Sequence, residues 1–141
     1  VFDRAARAAA GALGGCTLVI APTPARVEGD PDLLVDLLLN LITNAARASE
    51  EGQPIRVEAE PTDGGVEVRV SDRGRGIPPD QLDRITEPFY MVDKSRARKQ
   101  GGSGLGLALG AAIARAHGTQ LQFESAPGQG TTVRFTLKEV A

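Results

Sequence analysis

The chain is poor in residues that would make several functions easy to assign. It has one cysteine, Cys16, and one histidine, His117, in 141 residues. A lone cysteine forms no internal disulfide, and no Cys/His cluster has the spacing of a zinc site, so a reducing compartment is expected. No apolar run approaches the roughly 18 residues that cross a membrane as a helix. The small residues of AAAGALGGC are like those at a lipoprotein cleavage site, but Asp3, Arg4 and Arg7 and the weak apolar stretch argue against an anchor. Excess charge of one sign is missing too. A formal net charge of -2 argues against generic nucleic-acid binding, so any basic site must be local. There is no internal repeat and no low-complexity tail. What remains is an ordinary globular balance, 41% apolar and 24% charged. The length suits one domain, which buries roughly two thirds of the surface its unfolded chain exposes.

Along the chain, residues 1–15 are rich in Ala, Gly and Arg and read as a linker or the end of an upstream helix. CTLVIA reads as a strand. VEGDPDLLVDLLLNLITNAARAS reads as an amphipathic helix, with Asp30 as its N-cap and Pro31 at the first helical position, where a missing N–H costs nothing. IRVEAE and VEVRVSD alternate strictly around PTDGG, which predicts a β-hairpin. A short helix is expected over DQLDRIT and a mobile polar loop from Asp93 to Gly102. A second helix follows from Leu105 to His117, closed by Gly118. LQFES and TVRFTL predict a second hairpin around APGQG. This order implies an α+β fold, a mixed sheet covered on one face by helices.

Within the first helix, an advance of roughly 100° per residue puts Leu33, Leu34, Leu37, Leu38, Leu41, Ile42 and Ala45 on one core-facing side. Asn40 and Asn44 lie along one border of that face, with Arg47 just beyond. Two stacked amides beside a cation suit a pocket for a metal-bound phosphate, because an amide oxygen ligates hard cations and arginine pairs with phosphate. They equally suit a blander role, capping backbone groups of a neighbouring loop. Asp72, at the end of an alternating strand and ahead of RGRGIPP, has two readings as well. Its carboxylate can accept a hydrogen bond from an exocyclic amine such as adenine's, with Gly74 and Gly76 letting a flat ring approach the backbone, or it can simply initiate a turn.

The run GGSGLGLALG puts four glycines in six residues against a helix start, where unpaired N–H groups and the positive dipole end favour an anion. It lacks the Lys-Ser/Thr of a P-loop, and it lacks the preceding strand and ribose-binding acid of a dinucleotide fold. A third class of nucleotide site is required.

Taken in order, NLITNA, DRGRGIP, EPFY and GGSGLGLAL resemble the N box, first G box, F box and second G box of the catalytic ATP-binding domain of sensor histidine kinases. That domain belongs to the wider class that includes gyrase, mismatch-repair ATPases and heat-shock chaperones. The resemblance runs from about Val27 to Leu137. It implies a Bergerat-type α/β sandwich, with a mixed, mostly antiparallel sheet of about five strands under three helices, and a catalytic domain over 16–141. It implies Mg·ATP as ligand, with Asn44 on the magnesium, Asn40 and Arg47 near the phosphates, and Asp72 on the adenine amine beside Gly74, Gly76 and Ile77. Phe89 and Tyr90 match the base of an ATP lid. Lys94, Arg96, Arg98 and Lys99 fall within that lid, where family members place cations on the phosphates. Gly102, Ser103, Gly104, Leu105, Gly106 and Leu107 match the second G box. Thr131 resembles a threonine near an adenine-bound water.

By the same resemblance, the γ-phosphoryl goes to a histidine on a separate dimerisation domain and then, indirectly, to a response regulator. The resemblance implies no contact with nucleic acid or membrane by this domain, which is expected in the cytoplasm even where the parent kinase is anchored in the membrane. Met91 stands where many members have arginine. His117, in AHG at a helix end, lacks the following acid of an acceptor motif, so the acceptor is expected outside this chain. Two other readings are open. One is an ATPase that activates water, although Asn40 occupies the place of that class's glutamate and an amide is no general base. The other is a nucleotide-sensing module without catalysis.

Overall fold

The computed structural model describes residues 2–13, 16–21, 27–50, 52–77 and 106–139. Helix α1 (Phe2–Ala9) runs into a short 3-10 turn (Ala10–Ala12), then strand β1 (Thr17–Ala21) and helix α2 (Pro31–Ala48). Strands β2 (Pro54–Thr62) and β3 (Gly65–Asp72) follow, then helix α3 (Gly106–Ala116) and strands β4 (Gln122–Ser125) and β5 (Thr131–Lys138). The short helix and the mobile loop expected between Asp80 and Gly102 lie outside the described residues.

α2 starts as its sequence dictates. Asp30 is the N-cap, its carboxylate accepting the N–H groups of Asp32 at 2.9 Å and Leu33 at 3.3 Å, and Pro31 opens the first turn. The buried stripe comprises Leu34, Val35, Leu37, Leu38, Leu41, Ile42, Ala45 and Ala46. It is wider than one helical face, because α2 packs against α1, α3, β2 and β3 at once. Leu33, expected in the core, is 38% exposed. It lies in the first turn of α2, level with the end of α3, where coverage has stopped.

The five strands are ordered β1-β2-β3-β5-β4, with β1 parallel to β2 and the other pairs antiparallel. The expected mixed sheet is thus present, and β5 lies between two strands that precede it in the chain. The first hairpin turns more tightly than its PTDGG segment suggests, since Pro61 pairs with Val66 and Thr62 with Gly65, leaving Asp63 and Gly64 as the turn. Pro61 is tolerated because, among the described residues, the pairing of β1 ends opposite Glu58 and none of its positions faces Pro61. Inward-facing Ile55, Val57, Val66, Val68, Val70, Val133, Phe135 and Leu137 meet the leucines of α2 in one core. Ala5 and Ala9 of α1 belong to it. The opposite face of the sheet is charged, with Arg69 holding Glu58, Glu60 and Glu67 at 2.9 to 3.2 Å.

Helix α3 ends in a Schellman arrangement, the N–H of Gly118 on the Arg115 carbonyl and that of Thr119 on the Ala114 carbonyl, both at 3.0 Å. α3 lies close on α2, since a Cβ at Gly110 would stand 3.2 Å from Leu37 Cδ1.

Candidate functional site

Asp72 ends β3 and Thr131 begins β5, directly opposite one another, so their side chains share one face of the sheet. The Asp72 carboxylate is half-buried and accepts the N–H of Gly74 at 2.8 Å. The Asp-initiated turn is therefore real. Burial pushes the Asp72 carboxyl above the usual carboxylate range, and the N–H groups of Gly74 and Thr131 together with the Arg75 charge pull it part of the way back.

Beyond Asp72 the chain is clamped on two sides. The Arg75 N–H donates to the Ala48 carbonyl at the end of α2 at 3.0 Å, and the Arg75 carbonyl accepts the Gly128 N–H at 2.7 Å. No side chain fits beside these bonds. A Cβ at Gly74 would lie 2.2 Å from the Ala48 oxygen, and one at Gly76, where φ is +74°, would lie 1.9 Å from the Ala126 oxygen. At both glycines the close approach is to the protein's own backbone. Ile77 is buried, and its N–H donates to Ser125 Oγ at 2.8 Å.

The clamp brings the Asp72 turn to the last turn of α2. Asn44 stands one helical turn before Ala48 and Asn40 two turns before it, both half-buried, with Arg47 beside the clamp residue. Among the described residues neither amide has a hydrogen-bond partner, so the loop-capping role finds no acceptor or donor there. Among the same residues no group of three or more His, Cys, Asp or Glu side chains could hold a metal ion. Leu107 is packed partly buried against the core, one residue after Gly106 opens α3. Tyr90, Lys94, Arg96, Gly102, Ser103, Gly104 and Leu105, with Phe89, Arg98 and Lys99, lie outside the described residues.

His117 is fully engaged in the fold. Its Nδ1–H donates to the Ile113 carbonyl at 2.9 Å, since a carbonyl only accepts, and its Nε2 accepts the Asp30 N–H at 3.0 Å. The ring fastens the end of α3 to the start of α2.

Sequence reasoning missed Ser125. Its hydroxyl touches Ile77, Gly130 and Thr131 at once. The one available signal was the hairpin alternation, which sets Ser125 opposite Thr131.

An open, mostly antiparallel five-stranded sheet under helices, with an acid at a strand end clamped beside an amide-bearing helix, defines an α/β sandwich. The chain belongs to the histidine kinase-, DNA gyrase B-, and HSP90-like ATPase family, which matches residues 29–141. Within that family its similarity is to sensor histidine kinases. It is 40% identical over 119 residues to the sensor-like histidine kinase SenX3 of Mycolicibacterium smegmatis, a span of 84% of this chain and 31% of that protein. The mycobacterial sensor histidine kinase MprB superposes with a TM-score of 0.84 at 29% identity, covering 97% of this chain and 91% of that one. ShkA, solved full-length in complex with AMPPNP, superposes at 0.80 with 26% identity, over 99% of this chain and 30% of that one. The chain spans about a third of the length of the curated relative.

Proposed function

We propose that the chain binds Mg·ATP between the Asp72 turn and α2 and donates the γ-phosphoryl to a histidine of a separate dimerisation domain, from which a response regulator is charged. The observation that carries this reading is the Arg75–Ala48 hydrogen bond. It ties an amine-accepting carboxylate to the helix end that bears a guanidinium and two amides without a partner among the described residues, so that one molecule can be held by its base at one end and its phosphates at the other. ShkA, a structural relative that holds AMPPNP, supports the ligand class.

Magnesium fits the donors present. Asn44 offers a neutral amide oxygen and the described residues offer no carboxylate cage, which suits an ion that keeps waters and takes most of its remaining oxygens from phosphates. Bound there, magnesium would neutralise phosphate charge. Arg47 adds fixed positive charge, and the lid cations Lys94 and Arg96 and the glycines Gly102, Gly104 and Gly106 complete the phosphate end of the proposal. Positioning and electrostatics then supply most of the rate of an in-line transfer. Asn40, an amide where a general base would be needed, disfavours water as the acceptor. Residues 16–141 act as the catalytic unit, on the cytoplasmic side.

Titration of the chain with Mg·ATP, followed by mixing with the acceptor domain of its parent kinase, tests the proposal. Heat of binding and acid-labile phosphohistidine are expected, with the label lost in Asn44→Ala. Full labelling by Asn44→Ala would reject the assignment.

A further inference from the structure

Ser49 closes α2 from inside the protein. It is 6% exposed and, with Thr131, one of the two buried polar residues among those described. An α-helix would send its N–H to the Ala45 carbonyl, but that N–H goes instead to the Ala46 carbonyl at 3.2 Å. The Ala45 carbonyl left over is taken by the Ser49 hydroxyl at 2.8 Å, a bond with one possible direction because a carbonyl only accepts. The Ser49 N–H and the Ala48 carbonyl belong to one planar trans peptide and point opposite ways. Aiming that N–H at Ala46 therefore aims the Ala48 carbonyl as well, and the Ala48 carbonyl is the group that takes the Arg75 N–H at 3.0 Å.

We propose that Ser49 is a positioning residue whose hydroxyl holds the peptide between residues 48 and 49 in the orientation that clamps the Asp72 turn to α2, and so fixes the spacing between the two ends of the nucleotide site. Without the hydroxyl, the buried Ala45 carbonyl has no partner unless the Ser49 N–H returns to it, and that return turns the Ala48 carbonyl off Arg75. The clamp is then the bond that gives way. Asp72 itself stays held by the Gly74 N–H and by its pairing with Thr131, and the Arg75 carbonyl keeps the Gly128 N–H. What changes is the placement of Asn44 and Arg47 against the carboxylate. The proposal rests on the reading of Asp72 and Asn44 as the base and phosphate ends of one Mg·ATP site.

Amide exchange of the chain without nucleotide, read residue by residue by NMR, reports the clamp. In Ser49→Ala the Arg75 N–H is expected to speed up about 10-fold more than the Val70 N–H of β3, which follows the stability of the whole sheet. Calorimetry reports the consequence. Ser49→Ala is expected to bind Mg·ATP about 10-fold more weakly, and to bind adenosine, which uses the Asp72 end alone, within about 2-fold of the unaltered chain. Ser49→Thr keeps the donor on a backbone that is already extended, with φ -105° and ψ 153°, and is expected to restore both readouts. Ser49→Cys, a weak donor of similar size, is expected to fall between and carries the test should Ser49→Ala fail to fold. Equal loss for Mg·ATP and adenosine, or Arg75 exchange that only follows Val70, overturns the role of Ser49 while the nucleotide site stands. Failure of the unaltered chain to bind Mg·ATP overturns the site and this role with it, even where exchange shows the clamp intact.

Discussion

A carboxylate drawn partly out of water destabilises a fold unless its surroundings compensate it. At Asp72 they do so incompletely, so the folded-state pKa is raised. Such a group holds its proton more tightly when folded, and the stability it contributes is full below the ordinary carboxylate range and lost as pH rises through the raised value. Asp72→Asn removes that step. Thermal melts across the acidic range should show wild type losing stability relative to the variant as pH rises, with the variant at least as stable at neutral pH. The same variant should bind ATP about 10- to 100-fold more weakly by calorimetry, the weight of a hydrogen bond to a charged acceptor. Gly76 makes the complementary case, in which backbone geometry rather than charge fixes the residue. Gly76→Ala puts a methyl group into the Ala126 carbonyl and should cost more than about 2 kcal/mol in denaturant melts. Gly118→Ala, where a Cβ meets nothing within 4 Å, should cost only the left-handed strain of about 1 kcal/mol. Asp72 and Gly76 were legible as motif members in the sequence. Ser125 was not, because its role exists only once β4, β5 and the turn after β3 have met.

At the scale of elements, α2 does two jobs at opposite ends. Its N-terminus is held by the Asp30 cap and by His117, while Asn44, Arg47 and the Ala48 clamp lie near its C-terminus, roughly 21 to 27 Å away at 1.5 Å per residue. Asp30→Ala should therefore lower stability by about 0.5–2 kcal/mol and leave the affinity for Mg·ATP unchanged. A matching loss of affinity would mean that the helix transmits its N-terminal state to the site. The cap, the proline and the leucine stripe were all readable locally, since each depends on neighbours within a turn or two. Strand order was not. Nothing in the alternation of TVRFTL says that β5 pairs with β3, where Val70 of β3 and Val133 of β5, 63 positions apart in the chain, are partners.

For the whole molecule, the proposal turns on whether the chain's own histidine can accept the phosphoryl group. The sheet has one face buried under helices and the other covered by ion pairs such as Arg69 with its three glutamates, and the single histidine of the sequence lies among the helices. Phosphorylation of His117 requires a lone pair on a ring nitrogen that can reach a γ-phosphoryl group. Nδ1 carries the proton given to Ile113, and the Nε2 lone pair is occupied by the Asp30 N–H. Attack from Nε2 would uncouple the end of α3 from the start of α2 and leave that N–H without its partner. Incubated alone with radiolabelled Mg·ATP, the chain should therefore yield no acid-labile phosphohistidine. With the dimerisation domain of its parent kinase added, label should appear on that domain. His117→Gln should leave this transfer intact while lowering the melting temperature. Label on His117 in the isolated chain would reverse the conclusion, making this histidine an acceptor rather than a fastener between two helices.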